Sequence, residues 1–472
     1  MSIMEEFIKA GQGHLFEQLD QLPVEDQKHF MENLKSVSAR ISPKKLVHDC
    51  KEALKLAAAN SKTDICIEPL PESSYESIID NEKARAKYGD LGREAIRRGE
   101  VAVILMAGGQ GTRLGSLKPK GCYDIGLPSG KSLFQIQGEK ILRLQELTGA
   151  QKPIPWYIMT SEPTRKNTEE FFVEKEYFGL SPKQVTFFNQ GTLPAFDLKG
   201  EELLMSSPTA LVQSPDGNGG LYRALKDNCI VDDFVAKGIK HVYMYCVDNV
   251  LSKVADPVFL GFAIENGFDL ATKAVRKRDF SESVGLIATK DGKPCVIEYS
   301  EISPELAQGQ NKDGLLNLRA GNIVNHYYSV DLLKRELYDW CNNMPFHIAK
   351  KKISFYDNKT GETYKPTEPN GIKLEQFIFD VFPSVPLEKF GCLEVDRTEE
   401  FSPLKNGLGS SNDNPATSRE AYLTLGTSWL KNSGAKVADG VLVEVSSTLS
   451  YAGEQLSQFK DVQFNENGTF VD

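Results

Sequence analysis

The sequence predicts an α/β fold: a doubly wound, mostly parallel central sheet, preceded by a helical N-terminal domain and followed by a small β-rich C-terminal domain. Three observations carry this. Short, continuous apolar runs recur from Val101 onward, amphipathic helical stretches separate them, and the two ends of the chain differ in texture from the middle. An apolar run without alternation marks a strand buried on both faces, and strands alternating with helices make a sheet covered on both sides. A chain of 472 residues holds two or three domains. The expected boundaries give 1–98, 99–410 and 411–472.

In chain order, "HLFEQLDQL" places Leu15, Phe16, Leu19 and Leu22 at helical spacing, and "PVEDQKHFMENLKSV" opens with a proline suited to a first helical turn. The strands are "VAVILMA", "IPWYIMT", "QVTFFNQ" and "HVYMYCV". Between the first two lies the helix "SLFQIQGEKILRLQELTG", where Ser132 and Gln135 have capping-box spacing and Leu133, Ile136, Ile141, Leu144 and Leu147 form the apolar face. Further on, "VGLIATKDGKPCVIEYSEI" is two strands about Asp291-Gly292, a hairpin signal. The Gly/Ser/Asn-rich "FSPLKNGLGSSNDNP" precedes one more helix and the strands "GVLVEVSSTLSYAG" and "DVQFNENGTFVD".

A net charge of −10 argues against nucleic acid, whose partners carry basic faces. No apolar run approaches the roughly 20 residues of a membrane span, and the acidic start lacks the basic region of a secretory signal. Eight scattered cysteines without a C-x-x-C pair read as reduced thiols, and the six histidines lack metal-ligand spacing. A cytoplasmic protein is expected.

The chemistry concentrates in "LMAGGQGTRLGSLKPKG", residues 105–121, directly after a buried strand. Ligands of open α/β sheets bind beyond the carboxyl ends of the strands, where this loop lies. It is not the dinucleotide fingerprint, because Leu114 stands where the third glycine belongs; "GLPSGKS" at 126–132 is one residue short of a P-loop. The ingredients are nonetheless those of a phosphate cradle. Gly108, Gly109 and Gly111 leave backbone N–H groups unobstructed and permit positive φ. Arg113 grips oxygens bidentately, and Lys120 is a movable point charge.

"LMAGGQGTRLG" followed by "PKG" resembles the uridylyltransferase signature of sugar-nucleotide pyrophosphorylases, most closely the eukaryotic UDP-N-acetylglucosamine pyrophosphorylases. "NQGTLPA", "SPDGNGGLY", "CVDN", "VIEYSEI", "GNIVNH", "LEQFIFDVF" and "EFSPLKN" follow in that family's order, over roughly residues 98–407. The resemblance implies a Rossmann-like nucleotidyltransferase sheet and a Mg²⁺-dependent reaction of UTP with N-acetylglucosamine 1-phosphate, giving UDP-N-acetylglucosamine and pyrophosphate. It implies small-molecule partners, no nucleic acid, no membrane, and a monomer or weak homodimer.

Carried over residue by residue, Met106, Ala107, Gly108, Gly109, Gly111 and Thr112 line the nucleotide, and Arg113 and Lys120 face its phosphates. Lys405 of "SPLKN" stands at the bridging phosphates. Gln190 and Gly217 read uracil: a side-chain amide offers both donor and acceptor to its imide edge, and a glycine lets the main chain approach the base. Asn218 touches the sugar side of the ligand. Asp248, at the end of a buried run, is the metal ligand, an oxygen donor suited to Mg²⁺. Gly285, Glu298, Tyr299, Asn322 and Phe377 surround the hexose.

By residue type alone, "PDGNGG" reads equally as a turn cluster, Asp248 as a loop or cap acid, and Phe377 as a core residue of an amphipathic helix. Three other functions stay open: the same transfer with N-acetylgalactosamine or glucose, a nucleotide-sugar sensor without catalysis, and a nucleotide hydrolase built on "GLPSGKS".

Overall fold

The computed structural model describes residues 2–59, 66–298, 301–358 and 360–472. The chain forms two compact units, each assembled from separated stretches. The division therefore does not follow residues 98 and 410.

One unit comprises Met1–Ile65, Gln190–Ala224 and Tyr338–Asp380. Its helices are α1 (Ile3–Lys9), α2 (Val24–Arg40) and α3 (Pro43–Ala59). Ser2 caps α1, its hydroxyl accepting the Glu5 N–H at 3.2 Å. "HLFEQLDQL" is not one helix but two short 3₁₀ turns, Gly13–Phe16 and Leu19–Gln21. The helical front is real, yet its apolar faces are completed by the other two stretches. Phe7, Phe30, Leu34 and Leu46 share a core with Leu193, Phe196, Leu203 and Met205, and with Phe346, Ile372 and Leu374. Burying each such side chain contributes about 1.5–3 kcal/mol. Within this unit Gly371–Glu375 pairs antiparallel with both His347–Lys351 and Phe196–Asp197.

The other unit comprises Cys66–Asn189, Leu225–Leu337 and Val381–Asp472. Its main strands are β1 (Tyr75–Ser77), β2 (Val101–Met106), β3 (Trp156–Thr160), β4 (Val185–Asn189), β5 (His241–Cys246), β6 (Leu270–Arg276), β7 (Ala320–Ser329) and β8 (Phe390–Val395). They lie in the order β1-β8-β6-β7-β5-β2-β3-β4. Along this path the pairing is parallel except where β7 runs antiparallel to β6 and to β5. The mostly parallel sheet is as the apolar runs imply. All residues of β2 and β3 are buried; "QVTFFNQ" differs, because β4 is an edge strand with four of its five residues half-buried. The hairpin turns at Asp291-Gly292, both at positive φ (51° and 75°), and its first strand, Leu286–Lys290, pairs into the sheet through Gly321.

Among the helices of this unit are α4 (Glu82–Arg97), α5 (Leu133–Thr148), α6 (Glu162–Glu174), α7 (Pro257–Asn266) and α8 (Pro415–Asn432). Ser132 caps α5 by accepting the Gln135 N–H at 3.2 Å. Residues 66–98 belong here because α4 lies directly on α7. A Cβ at Gly92 would run into the Pro257 carbonyl, and one at Gly261 into that of Tyr88. The C-terminal stretch also belongs here. After α8 it forms short parallel ladders, Lys436–Val437 with Gln463–Phe464 and Val443–Val445 with Thr469–Val471, over a core of Leu430, Val443, Leu456 and Phe464. Glu444 of this stretch accepts the Ser129 N–H (2.9 Å) and hydroxyl (2.6 Å).

Under the sheet's carboxyl end sits a buried charge cluster. Lys273, with no side-chain exposure, bridges Asp256 (2.6 Å) and Glu400. Burial pulls the Lys273 ammonium down, but Asp256 and Glu400 outweigh it and hold the group above its ordinary pKa. Among the described residues no helix is long and apolar enough to cross a membrane.

Candidate active site

The glycine loop follows β2, and backbone hydrogen bonds within it and to β3 shape it. The Ala107 N–H reaches the Met159 carbonyl, the Gly111 N–H that of Lys118 (3.1 Å), and the Lys120 N–H that of Gly109 (3.2 Å). Ser161, at the start of α6, donates its hydroxyl to the Gly108 carbonyl at 2.7 Å. The expectation of positive φ at Gly108, Gly109 and Gly111 does not hold; in this loop the left-handed residue is Gly115 (φ 72°). What Gly111 supplies is proximity: a Cβ there would lie 3.0 Å from the Lys118 carbonyl oxygen. Gly109 is open, with nothing within 4 Å of such a Cβ. Met106 and Ala107 are buried, while Thr112 and Arg113 face solvent. The Arg113 side chain has no hydrogen-bond or ion-pair partner among the described residues.

Lys120 meets Asp248 across the loop, Nζ to Oδ2 3.5 Å, both half-buried. Asp248 lies two residues past β5 because the chain there is pinned from both sides. The Leu404 N–H donates to the Asp248 carbonyl (2.8 Å), and Asn249 donates its Nδ2 to the Glu400 carbonyl (2.7 Å) while its Oδ1 accepts the Ser402 N–H (2.9 Å). Gln137 and Lys140 of α5 donate to the carbonyls of Val247 (3.1 Å) and Ser252 (2.8 Å). The same ties bring Lys405, exposed, to this end of the sheet. A Cβ at Gly407 would lie 2.8 Å from the Arg113 carbonyl oxygen. Burial and then Asp248 push the Cys246 thiol up, with Lys120 and Lys405 pulling the other way. Arg113, Lys120, Asp248 and Lys405 thus gather in one unit.

Gly285, Glu298 and Asn322 also converge there. The Asn322 N–H donates to the Gly285 carbonyl at 2.9 Å, and a Cβ at Gly285 would lie 3.7 Å from Glu298 Oε1. Asn322 sits where the β6–β7 register shifts, beside Val324 at φ 57°, an unfavourable conformation for a β-branched residue. Tyr299 lies outside the described residues.

Gln190, Gly217, Asn218 and Phe377 fall in the other unit. Gly217 (φ 84°) is pressed on the Gln376 peptide, where a Cβ would collide. Asn218 Oδ1 accepts the Ile378 N–H at 2.9 Å. The half-buried Gln190 side chain has no hydrogen-bond partner among the described residues. Phe377 is not on an amphipathic helix: it follows the strand Gly371–Glu375 and precedes a 3₁₀ segment, Ile378–Ser384, that contains Pro383. Its half-buried ring stacks on His347, centroids 4.3 Å apart.

"GLPSGKS" is structural. Lys131 pairs with Glu139 at 2.8 Å and with the Ser446 hydroxyl at 3.0 Å, so its charge is spent inside the fold. Among the described residues no three His, Cys, Asp or Glu side chains cluster as a metal cage. Asp248 alone fits a hard cation that takes its other ligands from phosphate and water.

A family model described as UTP–glucose-1-phosphate uridylyltransferase matches residues 51–459. The UDP-N-acetylglucosamine pyrophosphorylase of Saccharomyces cerevisiae is 68% identical over 99% of this chain and 98% of its own. A UDP-N-acetylhexosamine pyrophosphorylase-like protein of Xenopus tropicalis is 40% identical over 96% of this chain and 93% of its own. The crystal structure of the Trypanosoma brucei uridine diphosphate N-acetylglucosamine pyrophosphorylase, in complex with an inhibitor, superposes with a TM-score of 0.85 at 28% identity, covering 99% and 97% of the two chains. With the model spanning most of its length and relatives matching end to end, this chain belongs to the UTP–glucose-1-phosphate uridylyltransferase family.

Proposed function

We propose that this protein joins UTP to N-acetylglucosamine 1-phosphate, releasing pyrophosphate and UDP-N-acetylglucosamine. The observation that carries the reading is its 68% identity, along nearly its whole length, to the S. cerevisiae UDP-N-acetylglucosamine pyrophosphorylase. The sugar-phosphate oxygen attacks the α-phosphorus of UTP in line. A new P–O bond forms there, the bond to the β-phosphate bridging oxygen breaks, and pyrophosphate carries the electron pair away. Both reactants are anions, so catalysis is alignment and charge stabilisation, and no enzyme nucleophile is needed.

Arg113 and Lys120 hold the triphosphate tail, with backbone N–H groups of the Gly108–Thr112 stretch beside it and Met106 and Ala107 forming the floor. Lys405 offsets the charge that develops on the bridging oxygen. Gln190 and the main chain at Gly217 read uracil, and Asn218 holds the sugar side of the ligand. Gly285, Glu298, Asn322, Tyr299 and Phe377 bound the hexose. Asp248 would hold Mg²⁺, which supplies Lewis-acid neutralisation of phosphate charge when bound. Eight cysteines scattered without a C-x-x-C pair suit a reducing compartment, the cytoplasm. The partners are the four small molecules of the reaction, not nucleic acid or membrane, and the protein works as a monomer or weak homodimer.

Pyrophosphate release across a grid of UTP, CTP and ATP with the 1-phosphates of N-acetylglucosamine, N-acetylgalactosamine and glucose, with and without Mg²⁺, tests this. UTP with N-acetylglucosamine 1-phosphate should be fastest and Mg²⁺-dependent; nucleotide hydrolysis without any sugar phosphate would overturn the reading. Replacing Gly111 by valine forces the loop off the Lys118 carbonyl. The KM for UTP should rise by about tenfold or more, and an unaltered KM contradicts the loop's role.

A further inference from the structure

Arg40 ends α2, in the stretch whose purpose the sequence leaves open. Its guanidinium reaches two separate segments of its own unit. Nη2 donates to Asp216 Oδ2 at 3.2 Å, and Nη1 to the Thr192 carbonyl at 3.4 Å. The guanidinium also lies flat on Gly191, where any Cβ would occupy the same space. Gly191 directly follows Gln190, and Asp216 directly precedes Gly217. One arginine thus grips both segments assigned above to the base.

The grip is built in from behind. Asp216 is 2% exposed, its backbone N–H donates to the Gly191 carbonyl (3.3 Å), and its carbonyl accepts the Gln376 N–H (2.8 Å). Asp216 Oδ1 has no hydrogen-bond partner among the described residues and lies over Gly220, the first residue of the helix Gly220–Asp227, where the helix dipole favours a negative charge. The cations facing this carboxylate are Arg40 and Arg223; burial pushes it up to about 6 and both arginines oppose the rise. Arg223 in turn donates to the Arg40 carbonyl at 2.9 Å and to that of Cys341, fixing the end of α2.

We propose that Arg40 is a positioning residue for the nucleobase: it locks the Gln190–Thr192 and Asp216–Gly219 segments in one register, so that the amide of Gln190 and the main chain of Gly217 present a fixed pattern to uracil. This rests on the base assignment made above. It gives the helical front a part in nucleotide selection. Arg40 also lines a cavity of about 250 Å³ with Asn33, Ser36 and Gln213, so a shorter side chain there leaves space and creates no clash.

The test uses the full-length protein and steady-state kinetics with UTP and CTP. For Arg40→Met, the KM for UTP should rise about tenfold and the preference for UTP over CTP should shrink, while kcat stays within about threefold and the KM for the sugar phosphate is unchanged. Arg40→Lys should recover part of the loss, because an ammonium can meet Asp216 but cannot also span to Thr192. A KM for UTP within about twofold of the parent in Arg40→Met overturns the inference. If Arg40→Met does not fold, Arg40→Lys and Asp216→Asn decide: unchanged UTP KM and unchanged base preference in both overturn it. Gln190→Ala runs beside them. If it raises the UTP KM while the Arg40 variants do not, the Arg40 inference alone falls; if it leaves the UTP KM unchanged, the base assignment falls.

Discussion

Arg113→Ala should lower kcat/KM by about a hundred- to a thousandfold and leave the thermal melt where it is. The size follows from position. Arg113 projects from the loop after β2 into solvent with no side-chain partner among the described residues, so its charge is available to phosphate. A donor that meets developing charge once substrate is bound is worth up to several kcal/mol, whereas truncating an exposed side chain costs the fold little. Arg113→Lys should restore only part of the rate, since an ammonium cannot bridge two oxygens as a guanidinium does. Initial rates of pyrophosphate release, with a melting curve on the same samples, measure both halves. Near-normal turnover in Arg113→Ala would remove this residue from the reaction.

Lys273→Met is the complementary case, a loss of stability of about 3–5 kcal/mol. The side chain is enclosed, and its removal takes away the ammonium nearest both Asp256 and Glu400, leaving Lys253, 3.5 Å from Glu400 Oε1, to offset the two buried carboxylates. Combining Lys273→Met with Asp256→Asn and Glu400→Gln should recover much of that loss, because the cost lies in the unpaired charges more than in the missing attraction. Denaturant midpoints across the series read the effect. A midpoint unchanged in Lys273→Met would mean the cluster adjusts freely. The cluster also reaches the chemistry, since the Glu400 carbonyl accepts from Asn249 beside Asp248.

Much of the scaffold is legible in the sequence where short-range physics decides it. "VAVIL", "WYIM" and "VYMY" are apolar or aromatic throughout because both faces of each strand are covered, and Asp291-Gly292 turns with both residues at positive φ. The direction of β7 is not legible. "GNIVNH" would look the same running either way, and its antiparallel placement is set by its neighbours. Nor is the bulge beside Asn322, where Val324 takes a conformation its side chain opposes.

The residues proposed to handle phosphate could be picked out in residues 105–121 because glycines and cations crowd that one loop. Arg40 and Asn249 could not. Each is a single polar residue whose partners stand far off in sequence, at Asp216 and at Glu400 and Ser402, and only folding brings them there. The three-stretch core escapes for the same reason: nothing local ties Phe30 to Phe196 or Ile372.

That interleaving sets a timetable for synthesis. Helices α1–α3 leave the ribosome first, but the residues that cover them, up to Leu374, arrive more than 300 positions later. At ordinary elongation speeds the nascent chain carries an uncovered greasy surface for roughly 15–60 s. This protein should therefore be a client of chaperones that bind early, and a message cut short before that point should yield a sticky fragment and no smaller working enzyme.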